Sequence, residues 1–452
     1  MSRLRRIPFY YGWVMVGTAL AINAASSTLN PVVFSFMIGP MSDELGVSKS
    51  ALSWSFTLRL FAGGIVGPFL GVLLDRHGGR WIGATSGALV GVMLVLLAFV
   101  HNIWLVYLVF AISGLAGLGG PAGQLLTQVP LAKWFVVMRG RALAIATIGM
   151  AGGTMFAIPI TEWLLGIVGW RGTTLIFGIA VAAVVIPVSV FLVRRSPEDM
   201  GLHPDGALPA PASAEQHALG RHAHLSTARN WTVREAMRTA VMWQLLGGQA
   251  LAGAVLMGTL VYRVDFFKSL GVSSEAVALG TTLDPATVVV SAFVFGMIAE
   301  RVPVRYLGAI GLFGFAASVI PMILANGGTM SVILHNVIWG MAAGGHITLN
   351  NLVWPNYFGR LHLGAIRGVV LPVGIAASGL GPPLFGYLLD SGMAPSHVWI
   401  VSFISFIVAG LSVLVARPPR WSDLEPAHAT PDPTRLEADH VQTTGSTLGQ
   451  AR

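Results

Sequence analysis

No cysteine occurs in the 452 residues, which excludes disulfide frameworks, zinc ribbons and thiol nucleophiles. Charge is scarce as well: 10% of residues are charged and 54% are hydrophobic, against roughly 25% charged in soluble domains. So much apolar surface cannot be hidden around one water-soluble core. The His-Glu-x-x-His zinc pair and the Gly-x-Ser-x-Gly elbow are missing, which removes two routes to intramembrane hydrolysis. Gly117-x-Gly119-x-x-Ala122 matches a dinucleotide loop in letters alone, since it lies in an apolar stretch with no strand before it. No enzyme activity, cofactor or resident metal is expected. His203, His217, His222 and His224 read as solvated linker histidines.

What the chain does have is apolar runs. Crossing a hydrocarbon layer of about 30 Å takes about 20 residues, and twelve such runs begin near Gly12, Ala51, Trp81, Ile103, Arg141, Gly169, Thr239, Ala276, Arg305, Thr329, Arg367 and Ala394. The first follows Arg3, Arg5 and Arg6 and is too long for a signal peptide, so it is expected to be an uncleaved helix. The fold class expected is an all-α polytopic membrane protein of twelve transmembrane helices.

The net charge of +8 could point to nucleic acid, but its distribution is topological. Of 27 Lys and Arg residues, 22 fall in the termini and in the connections on the same side. The opposite connections hold Lys49, Arg171 and Lys268, while Arg59 and Arg263 fall inside or at the end of spans. By the positive-inside rule both termini and the central connection are expected in the cytoplasm of a plasma (inner) membrane protein. No nucleic-acid partner is expected.

The chain also repeats itself at an offset of 225. Leu45-Gly46-Val47-Ser48 recurs as Leu270-Gly271-Val272-Ser273, and Gly71, Arg76, Arg80 and Gly83 recur as Gly296, Arg301, Arg305 and Gly308, with Asp75 replaced by Glu300. Gly119-Gly120 recurs as Gly344-Gly345 and Pro130 as Pro355. A common spacing of this kind implies two six-helix halves in parallel orientation. The expected domains are residues 1–193, a cytoplasmic linker 194–238 rich in Pro, Ala and His, a second half 239–416, and a polar tail 417–452 expected to be disordered. Thr232-Val-Arg-Glu235 reads as a capping box that opens a short helix before span seven.

The connection after span two reads Gly71-Val-Leu-Leu-Asp75-Arg76-His-Gly78-Gly79-Arg80, and a degenerate copy runs from Gly296 through Glu300 and Arg301 to Arg305. Here the chain resembles the major facilitator superfamily, and the resemblance covers Tyr11 to about Arg417. A glycine at a helix end allows close helix approach, and an acid beside it can pair with a base or with a helix end. These residues are therefore expected to form breakable gating latches. Lys133-Trp134-Phe135 with Arg139-Gly140, and Tyr11-Gly12-Trp13, look like the oxalate/formate antiporter and monocarboxylate transporter branch. The chain departs from that branch at span eight, where registering on Gly296 puts Val288 and Ala292 in place of its Asp and Arg, and at span eleven, where Gly368 to Leu389 contains no base.

The resemblance implies that spans one, four, seven and ten line a central cavity, so their polar residues are candidates for substrate contact: Asn23, Ser27 and Asn30, then Gln124, then His335, His346 and Asn350. A polar stripe within lipid-spanning helices is costly unless it faces water or a partner. Arg59 and Asp284 lie deeper, about eight residues or roughly 12 Å from the outer end, and they too differ by 225. An isolated charge there costs at least ~2.5 kcal/mol. Arg59 is expected to neutralise a carboxylate, with Asp284 either pairing to it or taking up a coupling proton.

The sequence thus points to secondary active transport of a small organic anion, with a carboxylate expected, by a monomer that alternates access and couples to a proton or to exchange. Efflux of an apolar or drug-like compound is the alternative, and a channel or intramembrane enzyme stands behind it. If the latch operates, Asp75→Asn slows transport in reconstituted vesicles while protein level and substrate binding stay near normal; unchanged transport would remove the latch.

Overall fold

The computed structural model describes residues 10–118, 121–135, 138–203, 231–299, 301–359 and 362–419. Among them the regular structure is helical throughout: α1 (Gly12–Ser26), α2 (Pro31–Leu45), α3 (Lys49–His77), α4 (Gly79–Leu97), α5 (Ile103–Leu115), α6 (Pro121–Trp134), α7 (Arg139–Pro187), α8 (Val233–Met237), α9 (Ala240–Ser269), α10 (Ser274–Ile298), α11 (Val304–Ile323), α12 (Thr329–Phe358), α13 (Leu363–Asp390) and α14 (Pro395–Val415). Nine helical stretches among the described residues are long and apolar enough to cross a membrane. One of them, Arg141–Leu192, contains Gly169 at φ 66°, where the helix breaks. At 1.5 Å per residue the 49 residues of α7 would run about 74 Å if straight, so it makes two passes. The twelve passes expected would further require α3 and the α5–α6 pair, which are not among the nine. Of the expected linker and tail, residues 204–230 and 420–452 lie outside the described residues.

The 225-residue repeat has a stereochemical cause. Gly46 and Gly271 both take positive φ, 62° and 82°, the left-handed conformation that ends a helix cheaply in glycine. Two residues later Ser48 and Ser273 cap the next helix, their hydroxyls accepting from the Ala51 and Ala276 amides. The repeated Leu-Gly-Val-Ser is therefore a helix stop followed by a helix start. The capping box at Thr232 forms as expected, with the Thr232 and Glu235 side chains each bonded to the other's amide.

Two passes are interrupted. Span one stops at Ser26, passes through a 3₁₀ turn at Ser27–Leu29 and restarts under the Asn30 cap with Pro31 at the first position. Span four breaks between α5 and α6, where Gly117 takes φ 78°. Glycines bring other helices into contact. A methyl at Gly149 or Gly153 of α7 would lie 2.4 Å or 2.6 Å from backbone atoms of Leu20 or Ala24 in α1, and one at Gly344 of α12 would lie 2.5 Å from the Ser291 backbone in α10.

The halves meet through α2 on α9, α3 on α13 and α7 on α10. On the side away from the termini their helix ends are joined by Lys49–Asp265 at 2.6 Å, Lys268–Glu162 at 2.9 Å and the Ser50 hydroxyl on Asp390. Further in, Ser53 bonds Tyr262 and Thr57 donates to the Gly379 carbonyl. The two ion pairs are partly exposed, so each contributes about 0–1 kcal/mol.

Glycine packing sets stability here. Gly153→Leu, which overpacks the α1–α7 contact at a cost of about 1–3 kcal/mol or more, should lower the melting temperature in detergent, whereas Gly166→Leu, with nothing near it, should not. Equal melting temperatures would show that the close approach is not needed.

Candidate functional site: the cavity between the halves

A cavity of about 500 Å³ lies between the halves, on the terminus side of the closed contacts. The interrupted first span supplies Ser26, Ser27, Asn30 and Pro31, and α3 and α7 supply Phe56, Leu60 and Met150. From the second half come Leu246, Gln249 and Met257 of α9, His346, Asn350, Asn351 and Trp354 of α12, and Arg367, Val370, Leu371, Ile375 and Ser378 of α13. The break in span one is what turns a helix edge into polar wall. Asn30 caps Val32 with its oxygen and reaches Thr154 Oγ1 at 3.3 Å with its nitrogen, tying the break to α7.

The chemistry of this wall is one-sided. Among the described lining residues there is one fixed cation, Arg367, and no Asp or Glu. Arg367 donates to the Asn351 carbonyl at a long 3.3 Å. His346 Nε2 is bonded to the Asn350 amide at 2.9 Å, while His346 Nδ1 and Gln249 Nε2 are buried without a hydrogen-bond partner among the described residues. Buried polar atoms of this kind cost about 1–3 kcal/mol when unsatisfied, so a ligand or water that bonds them is favoured. Most of the remaining wall is apolar, as small-molecule sites commonly are.

Of the residues the sequence singled out, Ser27, His346, Asn350 and Asn30 line this cavity. Asn23 does not; it donates to the Ala146 carbonyl at 2.8 Å and joins α1 to α7. His335 is fully buried within the second half, with Nδ1 2.7 Å from the Ser318 carbonyl and its ring against Phe267 and Trp339. The side chain of Gln124 lies outside the described residues.

The expected pairing of Arg59 with Asp284 is not formed, and neither residue lines the cavity. Asp284 is paired with Arg263 at 2.5 Å, with both side chains buried, and the Arg263 guanidinium lies 5.5 Å from the Trp339 ring centre. Sequence reasoning missed Arg263 as the partner, although the signal was present. Arg263 precedes Gly271 by eight residues and Asp284 follows it by thirteen, so an antiparallel hairpin of α9 and α10 brings both to a similar depth. Arg59 is also buried, and its Nη atoms donate to the Leu29 and Leu118 carbonyls at 2.7 and 2.9 Å.

The gating residues sit on the terminus side. Arg76 and Arg301 are exposed, Arg80 lies over Trp81, and Arg305 lies over Tyr306 and bonds its hydroxyl at 2.8 Å. A methyl on Gly296 would meet nothing, so this glycine admits no close helix contact in the conformation observed. Gly71 is described only by its place in α3, and the side chain of Asp75 and the whole of Glu300 lie outside the described residues.

Removing one member of a buried ion pair leaves an uncompensated charge, at a cost of about 3–5 kcal/mol. Asp284→Asn should therefore lower thermal stability sharply, and adding Arg263→Gln should restore much of the loss. A double variant as unstable as the sum of the two singles would contradict the pairing.

Comparison with known proteins places the chain in context. The Major Facilitator Superfamily description matches residues 16–373. The human protein named monocarboxylate transporter 11 is 25% identical over 420 residues, covering 90% of this chain and 83% of that one. The Bacillus subtilis (strain 168) protein described as the uncharacterized MFS-type transporter YcxA is 30% identical over 164 residues, covering 36% of this chain. The match spans 40% of YcxA's own length. Among solved structures, the nucleoside transporter NupG aligns with a TM-score of 0.67 at 12% identity, covering 91% of this chain and 100% of that one. A bacterial homolog of the human lysosomal transporter Spinster, in an inward-facing and unoccupied conformation, also aligns at 0.67, with 15% identity and coverage of 92% and 99%. With the matched region spanning most of both halves, the chain belongs to the major facilitator superfamily and is a multi-pass membrane transporter, not an enzyme.

Proposed function

We propose that the chain carries a small organic anion, most simply a monocarboxylate with an apolar body, across the cytoplasmic membrane by alternating access. The observation that carries this reading is the cavity wall: one guanidinium, several amides and hydroxyls, no carboxylate among its described residues, and apolar side chains around them. A cation carrier needs buried acids to hold its substrate after desolvation. An anion carrier needs a donor such as Arg367, whose fork matches a carboxylate. The relatives named monocarboxylate transporters support the same class.

With the basic connections placed in the cytoplasm, the cavity opens inward and the Lys49–Asp265 and Lys268–Glu162 pairs close the outer side. Substrate would enter or leave the cytoplasm past Arg367, and the outer pairs would part in the opposite half of the cycle. Exchange for a second anion and symport with a proton both fit such a cycle; an imposed pH gradient separates them, since only symport uses it to drive accumulation of the anion. A monomer suffices, because both walls come from one chain. The apolar lining keeps one rival alive, efflux of an uncharged apolar compound.

A thermal-shift screen of purified protein against mono- and dicarboxylates, aromatic acids and neutral drugs decides between the two. Acids should stabilise the protein, and Arg367→Gln should weaken their apparent affinity about 10- to 100-fold, as expected for a lost charge-assisted hydrogen bond. Stabilisation by neutral compounds alone, unaffected by Arg367→Gln, would establish the rival reading.

A further inference from the structure

We propose that Arg59 is a positioning residue: it clamps the two interrupted helices of the first half and thereby sets the shape of that half's cavity wall. Its two donors go to Leu29 and Leu118. Leu29 ends the 3₁₀ turn that interrupts span one, and Leu118 follows Gly117 in the interruption of span four. Carbonyls in such breaks lie outside the regular helical ladder, and in a hydrocarbon layer they need a donor from elsewhere in the protein. One planar guanidinium reaches both, which a point charge could not do.

The same geometry accounts for a buried cation with no carboxylate partner among the described residues. Leu29 ends the turn that continues α1, and Leu118 lies three residues past the C-terminal end of α5, so both carbonyls sit near the negative end of a half-helix macrodipole. The charge is therefore balanced by two helix ends. Arg59 lies on a separate small void of about 30 Å³ and not on the central cavity, with Phe56 lining both. A substrate carboxylate in the cavity has no direct path to it in this conformation.

Its reach into function is through its neighbours. Ser27 and Asn30 flank the clamped carbonyl and line the cavity, so releasing Leu29 leaves the long Asn30–Thr154 bond as the tie that holds this segment. Arg59 also sits on the helix that closes the outer side. Ser50, Ser53 and Thr57 of α3 form one stripe bonded to the second half, and Arg59, two residues beyond Thr57, projects to the opposite face of the helix. Gly114 fixes the seating, since a methyl there would lie 2.2 Å from the Arg59 carbonyl oxygen. Helix α3 is thus a lever with the cross-half contacts on one face and the clamp on the other. Movement at the outer closure is transmitted to the cavity wall through Arg59.

The native chain has no cysteine, so single thiols report cleanly. Ser27→Cys is placed in the otherwise native protein and combined in turn with Arg59→Gln, Arg59→Lys and Gly114→Ala, and alkylation by a small water-soluble maleimide is timed in membranes without substrate. Arg59→Gln should raise the rate about tenfold, since two charge-assisted hydrogen bonds are lost. Arg59→Lys, which can keep one carbonyl, should fall between, and Gly114→Ala should raise the rate with the charge intact. Ser378→Cys, on the second half's wall, should react at the parent rate in every background, which also reports that the protein is folded. Because no substrate is present, the result stands whatever the carrier transports. Ser27→Cys rates unchanged in both Arg59→Gln and Gly114→Ala would overturn the clamp, as would equal acceleration at Ser378→Cys.

Discussion

Backbone polar groups that leave water in a membrane fold need a partner inside the protein, and that constraint governs where function can sit. An unbroken helix satisfies its own backbone, so it offers the cavity only side chains. A broken one exposes carbonyls and amides as well, and the hydrocarbon layer tolerates this only where the protein covers the break. In the first half that cover is Arg59, bonded to the Leu29 and Leu118 carbonyls. In the second half the buried charges satisfy each other as Arg263–Asp284. Two similar halves have solved one electrostatic problem in two ways.

The asymmetry divides the labour. The second half, with its buried ion pair and the enclosed His335, supplies most of the polar side chains that face the cavity, among them Gln249, His346, Asn350 and Arg367. The first half contributes the interrupted span, whose Ser27 and Asn30 sit on a clamped but non-regular segment. The closure between halves rests on partly exposed ion pairs and hydroxyl bonds at one end. Weak contacts suit a carrier, because each conformation must be left about as easily as it is entered.

Much of this was legible in the sequence, because bilayer thickness and repeat spacing are one-dimensional constraints. The Thr232 capping box could be read from spacing alone, and the offset of 225 marked paired helix stops at Gly46 and Gly271. Ser27, Asn30, His346 and Asn350 could be placed on the cavity because the family resemblance puts spans one and ten along it and helical spacing gathers polar residues on one face. What spacing could not give was the partner. Equal numbering suggested Arg59 with Asp284, yet pairing depends on which helices are neighbours and how deep each side chain reaches, and the adjacent hairpin placed Arg263 closer to Asp284. The two breaks were hidden for a related reason: an interrupted helix keeps the same hydrophobic composition as an intact one. Arg367 was read as the start of an apolar run, and the packing of α13 on the cavity reveals it as the lining cation.

The central claim is that two halves alternate around a shared cavity whose outer side is closed here by Lys49–Asp265 and its neighbours. In the cysteine-free background, Lys49→Cys and Asp265→Cys joined by a short cleavable bismaleimide would tie the halves at that point. Uptake by reconstituted vesicles should stop on cross-linking and return on cleavage, while a thiol at Ser378 on the cavity wall stays accessible from the cytoplasmic side throughout. Full uptake by the cross-linked protein would contradict the account.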